Sequence, residues 1–469
     1  MKKVYDEVDS LDRLCYTKYN LTEDILMEHA ANGIVKYIEK KFDSKSKILI
    51  VSGGGNNGAD GIVAARLLQQ RYKVKLYIPF GVKSTMAKIQ YKRVCSLGIK
   101  IVKKIPKADI VVDALFGSGL NRELDIESIK LIEKLNRLKA YKISCDIPSG
   151  IDKNGVILNI AFKADTTITM GGLKRSLFSD TAKDYVGKIK IANLGLSSKI
   201  YQKSKTNIYL LDKKDMILPI RKQSNTHKGV FGHLSVVAGD KIGAAILCSK
   251  AGFYFGAGLT TIISKSKLSN IPSYIMESKS LPNNTTAISI GMGLGESFDK
   301  SYIQNDIPKL IDADLFYKKE IINILNSKNI VLTPHPKEFC GLLKVTNIAD
   351  ISVDQLQNDR FGYLMKFMEK YPYVTVVLKG ANTLIGSNQK IYINRYGTQA
   401  LSKGGSGDIL AGLISSLLAQ GYSPKKAAIS GVLAHSIAGS NYKGANYSLG
   451  PNSLMKQIKK LHKSSIKKI

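Results

Sequence analysis

The stretch from Lys47 to Gly61 reads KILIVSGGGNNGADG, and this order predicts a buried strand, a glycine turn and, from Ile62, a helix. As far as about Leu196, short β-branched runs continue to alternate with helical patterns. Strands separated by helices indicate a parallel sheet covered by helices on both faces, so we predict a Rossmann-like, doubly wound α/β fold here. The predicted strands are residues 47–51, 74–78, 110–114, 142–145, 166–170 and 188–191, after a first helix at 22–41.

A segment rich in Lys and Ser, residues 197–223, predicts a domain boundary, and the α/β pattern restarts near Gly232. We therefore predict two domains, residues 1–210 and 211–469, the second also of the α/β class. Its predicted strands are residues 232–239, 286–290, 329–333, 374–379 and 390–394, and its predicted helices are 242–255, 408–420 and 424–441, ahead of a basic tail at 456–469.

Composition limits the class of protein. Of 469 residues, 44% are apolar and 23% are charged, which is typical of a folded globular protein. The 70 basic and 37 acidic residues give a net charge of +33, but only ten basic residues are Arg, and the Lys residues are scattered. Because nucleic-acid readers use Arg for bidentate and stacking contacts, we expect no nucleic acid partner. A solvated basic surface that attracts small phosphate-bearing substrates fits better.

Cysteine usage and the N-terminus indicate the compartment. The five Cys residues are odd in number and form no C-x-x-C pair, which argues against a disulfide framework and against a zinc site. The first residues are charged and lack an apolar signal core, and no apolar run suits a membrane span. We expect a cytoplasmic protein that has no membrane partner and assembles as a homo-oligomer.

Three polar loops follow predicted strands of the first half. Gly53, Gly55 and Gly58 satisfy G-x-G-x-x-G, in which backbone amides approach a phosphate, although the glycines alone fit a structural turn equally well. The next strand contains no acidic residue to hold a ribose, which weakens a dehydrogenase interpretation. Asp113 and Asp146 lie at the carboxyl ends of two later strands. Either could be a simple turn former, but ligands bind outside the carboxyl ends of parallel strands, so we expect the three loops to converge.

The second half contains one strong local signal, the run from Gly404 to Asp408, which reads GGSGD and begins a predicted helix. Free backbone amides and the helix dipole at such a turn stabilise developing negative charge on a transferred phosphoryl group. Asp408 is then placed as a general base for the acceptor hydroxyl, although an Asp in a first helical turn is often only a favourable end charge. The chain has no G-x-x-x-x-G-K-[ST], so a P-loop enzyme is excluded.

These segments resemble the NAD(P)H-hydrate repair family. The first half is similar to its epimerase domain from about Tyr5 to Leu196, and the second is similar to its dehydratase domain, which has a ribokinase-like fold, from about Leu211 to Lys460. The second resemblance includes the anion-hole motif of ribokinase-like small-molecule kinases, from Gly397 to Gly412. Further matching segments are residues 27–30, 169–174, 186–189, 227–232, 243–245, 256–259, 291–295, 332–338 and 378–383.

The resemblance implies a first site that epimerises the R and S hydrates, with Asp146 as the acid/base residue. Its potassium ligands would be Asn57, Asp113 and Ser149. The residues implied to line the hydrate pocket are Asn56, Asn57, Gly58, Ala59, Asp60, Gly117, Ser118, Gly119, Leu120, Asn121, Arg122 and Glu123.

It also implies a second site that dehydrates the S hydrate with ADP and Mg2+, giving NAD(P)H, AMP and phosphate. Asp408 would be catalytic, and Ala244, Gly293 and His335 would contact the hydrate, although a lone His is more often a structural loop residue. The residues implied to bind the nucleotide are Lys379, Gly380, Ala381, Asn382, Thr383 and Gly407.

The function expected from the sequence is therefore bifunctional repair of hydrated NADH and NADPH, by an isomerase joined to a lyase. Two alternatives stay open at this point. One is a ribokinase-class kinase for a small molecule such as a vitamin precursor, with a Rossmann-like binding module. The other is a scaffold or RNA-associated protein that uses the first domain without catalysis.

Overall fold

The computed structural model describes residues 1–295 and 298–462. The chain divides into two compact units, residues 3–206 and residues 207–469 together with residues 1–2. The division lies a few residues before the predicted boundary at 210 and 211.

The smaller unit contains a parallel sheet in the order β3-β2-β4-β5-β6-β8, and a separate parallel pair formed by β1 and β7. Its elements in chain order are β1 (Lys2–Tyr5), α1 (Asp9–Tyr19), α2 (Glu23–Lys41), β2 (Lys47–Ser52), α3 (Asn56–Leu68), β3 (Lys73–Tyr77), α4 (Thr85–Ser96), β4 (Ile110–Ala114), α5 (Ile126–Asn136), β5 (Tyr141–Cys145), β6 (Thr166–Met170), β7 (Leu173–Lys174), α6 (Lys183–Val186), β8 (Lys188–Ala192) and α7 (Ser198–Tyr201).

Alternation along the strands explains why helices cover both faces of this sheet. Ile48 and Ile50 of β2 join a core built with α2, α3 and α4, whereas Leu49 and Val51 join a second core built with α5. Successive side chains of a strand point to opposite faces, so a strand buried on both sides is apolar throughout. The doubly wound fold predicted from the sequence is confirmed.

The larger unit contains a sheet in the order β12-β11-β10-β13-β14-β15-β16-β17-β18-β9. Its strands pair in parallel except that β17 is antiparallel to both β16 and β18. The elements are β9 (Ile208–Leu210), β10 (His233–Val237), α8 (Ile242–Tyr254), β11 (Leu259–Ile263), β12 (Met276–Ser278), β13 (Ala287–Ile290), β14 (Lys309–Ile311), β15 (Ile330–Leu332), α9 (Pro336–Val345), α10 (Val353–Asn358), α11 (Arg360–Lys370), β16 (Thr375–Leu378), β17 (Thr383–Ser387), β18 (Lys390–Asn394), α12 (Ser406–Ala419), α13 (Pro424–Ser440) and α14 (Pro451–Lys459).

Two helices at the centre of this unit pack closely. A Cβ atom at Gly412 of α12 would lie 2.2 Å from the carbonyl oxygen of Cys248 in α8, so only glycine permits this approach. α8, α12, α13 and α14 form one continuous apolar core with the sheet. The contact fixes the start of α12, where the glycine-rich run lies.

Most predicted elements are confirmed with small changes in their ends, and the second α/β domain is confirmed. One helix differs: α3 begins at Asn56 rather than at Ile62, because its packing between β2 and α4 outweighs the low helix propensity of Asn and Gly. The strands β1, β7, β9, β12, β14 and β17 were not predicted. Residues 463–469 of the basic tail lie outside the described part of the chain. Within the described residues, no helix is long and apolar enough to cross a membrane.

Candidate active sites

The glycine turn after β2 packs directly on the end of β4. The amide of Gly53 donates to the carbonyl oxygen of Ala114 at 2.9 Å. A Cβ atom at Gly58 would lie 1.9 Å from the carbonyl oxygen of Gly53, and one at Gly53 would lie equally close to the carbonyl oxygen of Leu115. Close backbone approach therefore requires glycine at positions 53 and 58, and two of the three predicted loops converge.

Asp113 and Ser149 join the loops after β4 and β5. The fully buried carboxylate of Asp113 accepts from the hydroxyl of Ser149 at 2.6 Å and from its amide at 2.9 Å. The amide of Phe116 donates to the same hydroxyl at 2.9 Å. Burial raises the pKa of Asp113 to about 6, although the hydrogen bonds from Ser149 and Leu115 oppose it. The third loop thus lies beside the other two.

Asn57, the third residue predicted to bind potassium, points toward the same loop. A Cβ atom at Gly117 would lie 3.1 Å from Cβ and Cγ of Asn57, so its side chain lies against the segment that follows Phe116. Its amide nitrogen is buried and has no hydrogen-bond partner among the described residues. The oxygen and nitrogen of an amide are exchanged by a flip of the side chain, so Asn57 can offer an oxygen there.

The remaining residues predicted for the hydrate pocket divide by exposure. Asn56 and the stretch from Asn121 to Glu123 are exposed, Asp60 is half-buried, and Leu120 is buried in the core beside α5. Because α3 begins at Asn56, the polar residues as far as Asp60 lie in its first turns. Burial raises the pKa of Asp60 well above its usual range, and the negative charges of Asp146 and Asp12 raise it further.

Asp146 occupies a strained position just after β5. Its φ is +66°, a left-handed conformation that is uncommon outside glycine and that often marks functional positions. Its Oδ1 accepts from the hydroxyl of Thr169 at 3.2 Å, from the amide of Met170 at 3.1 Å and from the amine of Lys174. Lys174 lies in one of the segments that carry the resemblance, but no role was predicted for it. Its separation of 28 residues from Asp146 in the sequence gives no sign of this contact.

Asp12 is a further acidic group of this site that the sequence did not indicate. It lies in α1, and its Oδ1 accepts from the hydroxyl of Tyr201 in α7 at 2.8 Å. Burial raises the pKa of Asp12 to about 6, while the hydrogen bond from Tyr201 and the charge of Lys174 oppose that shift. Nothing in the sequence around Asp12 distinguishes it from a surface helix residue.

In the larger unit, the glycine-rich run forms the first turn of α12. Gly405 has a φ of +85°, and Asp408 is the third helical residue. The buried His435 of α13 lies beneath this turn, with Nε2 3.0 Å from the carbonyl oxygen of Ser406. Burial raises the pKa of Asp408, the charge of Asp312 adds to this, and Lys379 opposes it. The predicted amide-lined turn and its carboxylate are therefore together.

Lys379 connects this turn with two carboxylates that the sequence analysis missed. Its Nζ lies 2.9 Å from Oδ1 of Asp312 and 3.6 Å from Oε2 of Glu338. A Cβ atom at Gly407 would lie 3.9 Å from the same nitrogen. Burial lowers the pKa of Lys379, but Asp312 and Glu338 outweigh burial and the pKa is raised. The amine is thus charged beside the start of α12.

The predicted nucleotide residues from Lys379 to Thr383 form the tight connection between β16 and β17. Gly380 and Ala381 are exposed, whereas Asn382 and Thr383 are buried. The buried guanidinium of Arg360 donates to the carbonyl oxygens of Leu378 at 3.1 Å, Lys379 at 2.9 Å and Asn382 at 3.2 Å. Arg360 therefore fixes the backbone of this connection.

The residues predicted to contact the hydrate in this unit lie around neighbouring strand ends. His335 caps α9, and its Nδ1 accepts from the amide of Glu338 at 3.2 Å. Its proton is then on Nε2, which lies 3.1 Å from Oε1 of Glu338. The turn that holds Ala244 contacts Gly293, because the amide of Lys241 donates to the Gly293 carbonyl at 3.1 Å. Among residues 1–295 and 298–462, no group of three or more His, Cys, Asp or Glu side chains is placed to hold a metal ion.

Comparisons with known proteins match both units. A family model described as YjeF-related protein N-terminus matches residues 23–176, and one described as NAD(P)H-hydrate dehydratase matches residues 234–460. The chain is 39% identical to a bifunctional NAD(P)H-hydrate repair enzyme of Helicobacter pylori, over 98% of this chain and 100% of that protein. It is 33% identical to an enzyme of the same name from Coxiella burnetii, over 92% and 93% of the two chains.

The similarity to solved structures covers part of the chain. An ADP/ATP-dependent NAD(P)H-hydrate dehydratase from Bacillus subtilis, co-crystallised with ATP and Mg2+, has a TM-score of 0.45 and 23% identity, over 55% of this chain and 98% of that one. Because the full-length relatives are repair enzymes, the alternative function of a small-molecule kinase is not favoured. On the strength of those relatives and of the two family models, this chain belongs to the family of bifunctional NAD(P)H-hydrate repair enzymes.

Proposed function

We propose that the two repair reactions take place at separate sites, epimerisation at the three converging loops of the smaller unit and dehydration at the start of α12 in the larger unit. The observation that supports this division is that each unit has its own candidate catalytic carboxylate, the buried Asp146 in one and the half-buried Asp408 in the other, with its own lysine nearby. The residues predicted for the two pockets keep their roles as part of this proposal.

In the first site, Asp146 moves protons while the ring nitrogen supplies and recovers an electron pair. Hydroxide leaves the hydroxylated ring carbon with the electron pair of the broken C–O bond, and the nitrogen lone pair forms an iminium. A water molecule gives a proton to the carboxylate and bonds to the opposite face of the carbon, and the nitrogen regains its lone pair. The departed hydroxide then takes the proton from Asp146, so the carboxylate is restored.

A potassium ion fits between the loops of this site. The donor set of Asn57, Asp113 and Ser149 supplies carboxylate, amide and hydroxyl oxygens, which suit a hard cation, and the amide of Asn57 is buried without a partner among the described residues. When bound, the ion supplies positive charge and fixes the loops. The three residues orient the loop from Phe116 to Glu123, which shields the hydrate.

In the second site, the poor leaving group is converted into a phosphate ester. Asp408 takes the proton of the hydrate's hydroxyl, whose oxygen attacks the terminal phosphorus of ADP while the bond to the AMP oxygen breaks. The amides at Gly404 to Gly407 and the amine of Lys379 stabilise the charge on the transferred phosphoryl group. The ring nitrogen then expels the ester as phosphate, and an iminium forms. The neighbouring ring carbon loses a proton to the departing phosphate, the C–H electron pair becomes the ring double bond, and the nitrogen regains its lone pair, which gives NADH or NADPH.

A magnesium ion with ADP also fits this site, because Mg2+ on nucleotide phosphates needs only one or two protein carboxylates. Asp312 and Glu338 lie beside Lys379 and would hold it. When bound, it neutralises phosphate charge. Arg360 holds the connection from Lys379 to Thr383, which we assign to the nucleotide. We assign ADP rather than ATP as the nucleotide. We also assign the enzyme to the cytoplasm, a compartment in which its five free cysteine thiols would stay reduced, and we assign it to a homo-oligomer.

The test is the variant Asp408→Asn in the full chain, given a racemic hydrate with ADP and Mg2+. Removing a general base costs about 10²–10⁴-fold in rate, so the recovery of reduced nicotinamide absorbance should be lost. Exchange between the R and S hydrates, followed by chromatography, should be unchanged. Loss of both activities in a folded variant would contradict separate sites, and stable transfer of phosphate to an alcohol would instead favour a kinase.

A further inference from the structure

The two oxygens of Asp146 have different surroundings. Every described hydrogen bond to this carboxylate ends on Oδ1, from Thr169, Met170 and Lys174, and Oδ2 accepts none from the described residues. One oxygen is thus anchored by three donors and the other is available for a ligand. Since a proton can only be transferred through a free oxygen, this asymmetry defines the reactive atom as Oδ2.

Lys174 is fixed in place by the fold. It is only 2% exposed, and its strand β7 pairs with β1, with Leu173 opposite Val4 and Lys174 opposite Tyr5. Its Nζ also lies 3.3 Å from the hydroxyl of Thr169 and 3.5 Å from the carbonyl oxygen of Met170. A buried lysine is costly unless it is paired, so the pairing with Asp146 is the compensation.

The other titratable groups around Asp146 are acidic. Asp12 from α1 and Asp60 from α3 act on the same region, and Tyr201 from α7 donates to Asp12. Burial and neighbouring carboxylates raise the pKa of both Asp12 and Asp60, whereas the charge of Lys174 lowers both. The buried thiol of Cys145, adjacent in sequence, also has a raised pKa for the same reasons. Lys174 is therefore the positive charge that opposes these negative groups.

We propose that Lys174 is the positioning residue of the epimerase site, which pairs with Oδ1 of Asp146 and holds it so that Oδ2 faces the hydrate. This rests on the proposed role of Asp146. Lys174 does not contact the reacting atoms in this scheme. Its positive charge compensates the negative charge of the carboxylate, and its position in β7 sets the direction of the free oxygen.

The test compares Lys174→Met, which removes the charge, with Lys174→Arg, which keeps it. Epimer exchange in the full chain is measured by chromatography from pH 5 to pH 9, with kcat and KM obtained separately. For Lys174→Met we expect kcat to fall at least tenfold at pH 7, the acid-side fall in rate to move up by at least one pH unit, and KM to change less than threefold. Lys174→Arg should return the acid-side fall toward that of the unaltered protein.

Two controls separate charge from structure. Lys190→Met removes an exposed lysine of β8 in the same unit and should leave the profile unchanged. Thr169→Val removes a neutral donor to the same oxygen, and should lower kcat without moving the acid-side fall. If melting measurements show that Lys174→Met has lost its native state, Lys174→Gln serves as the neutral variant and carries the same expectation.

The outcomes are distinct. A folded neutral variant whose acid-side fall stays in place, or whose rate is reduced by the same factor at every pH, overturns the inference about Lys174. In the same assay, Asp146→Ala tests the function on which the inference rests. If Asp146→Ala keeps the full epimerisation rate, the proposed role of Asp146 fails, whatever the behaviour of Lys174.

Discussion

His435 lies buried beneath the glycine-rich turn, where burial makes its charged form unfavourable. The carbonyl oxygen of Ser406 accepts from its Nε2 at 3.0 Å, so the neutral ring carries its proton on Nε2. Burial lowers the pKa of His435 from 6.5 to about 4, the hydrogen bond to Ser406 opposes this shift, and the charge of Lys379 adds to it. We predict that acid destabilises the larger unit through this residue, and that His435→Asn removes this part of the pH dependence.

The sign and size follow from proton linkage. Between pH 6.5 and pH 4 the unfolded histidine binds a proton and the folded one does not, so the free energy of unfolding decreases as the pH falls through this window. A pKa difference of this size is worth about 3 kcal/mol in full, and about 2 kcal/mol between pH 7 and pH 5. The Asn variant starts less stable at pH 7 but should lose about 2 kcal/mol less on acidification.

Hydrogen exchange followed by mass spectrometry measures this locally. Peptides from α12 and α13 report the free energy of opening at each pH after correction for intrinsic exchange rates, and peptides from the smaller unit provide an internal reference. The exposed His227, replaced by Asn, is the matched control and should behave as the unaltered protein. Equal losses of protection in His435→Asn and the unaltered protein between pH 7 and pH 5 would refute the reasoning.

Two further substitutions test the geometry of each site. Gly58→Ala places a Cβ atom 1.9 Å from the carbonyl oxygen of Gly53, so the turn must move at a cost of about 1–3 kcal/mol. Epimerisation should then be lost while dehydration of the S hydrate continues. Epimer exchange that is retained, as followed by chromatography, would contradict the tight turn. Arg360→Met leaves three carbonyl oxygens, two of them in buried hydrogen bonds, without their charged donor, each bond being worth about 1.5–3 kcal/mol. Steady-state kinetics should then show KM for ADP raised at least tenfold with epimerisation unchanged, and an unaltered KM would exclude the connection after β16 from nucleotide binding.

The fold and the positions of the main carboxylates could be predicted from local patterns. Strand β2 is apolar at four consecutive positions, Ile48 to Val51, because both of its faces are buried there, and such a run is visible in one sequence. Asp113 and Asp146 were placed together because the carboxyl ends of parallel strands meet at one edge of a sheet. The glycine run before Asp408 was informative because only a backbone that bends sharply and offers its amides needs so many glycines.

The groups that support these carboxylates could not be predicted. Lys174 reaches Asp146 because β7 is held beside β1, and no local pattern announces a strand of two residues. Asp312 follows the short strand β14, which was missed because β-structure of three residues gives no periodicity. Arg360 and His435 look like ordinary helix residues, and their roles arise from long-range contacts with backbone carbonyl groups.

The most direct test of two independent sites is complementation between two variants of the full chain, each of which lacks one of the two activities. Asp146→Ala alone, given racemic hydrate with ADP and Mg2+, should recover about half of the reduced nicotinamide at the enzymatic rate and then slow to the rate of spontaneous epimerisation, which a sample without enzyme measures. Asp408→Asn alone should recover none. A mixture of the two proteins should recover all of it, because each supplies the site that the other lacks. Recovery that stops at the same half with the mixture as with Asp146→Ala alone would contradict separate epimerase and dehydratase sites.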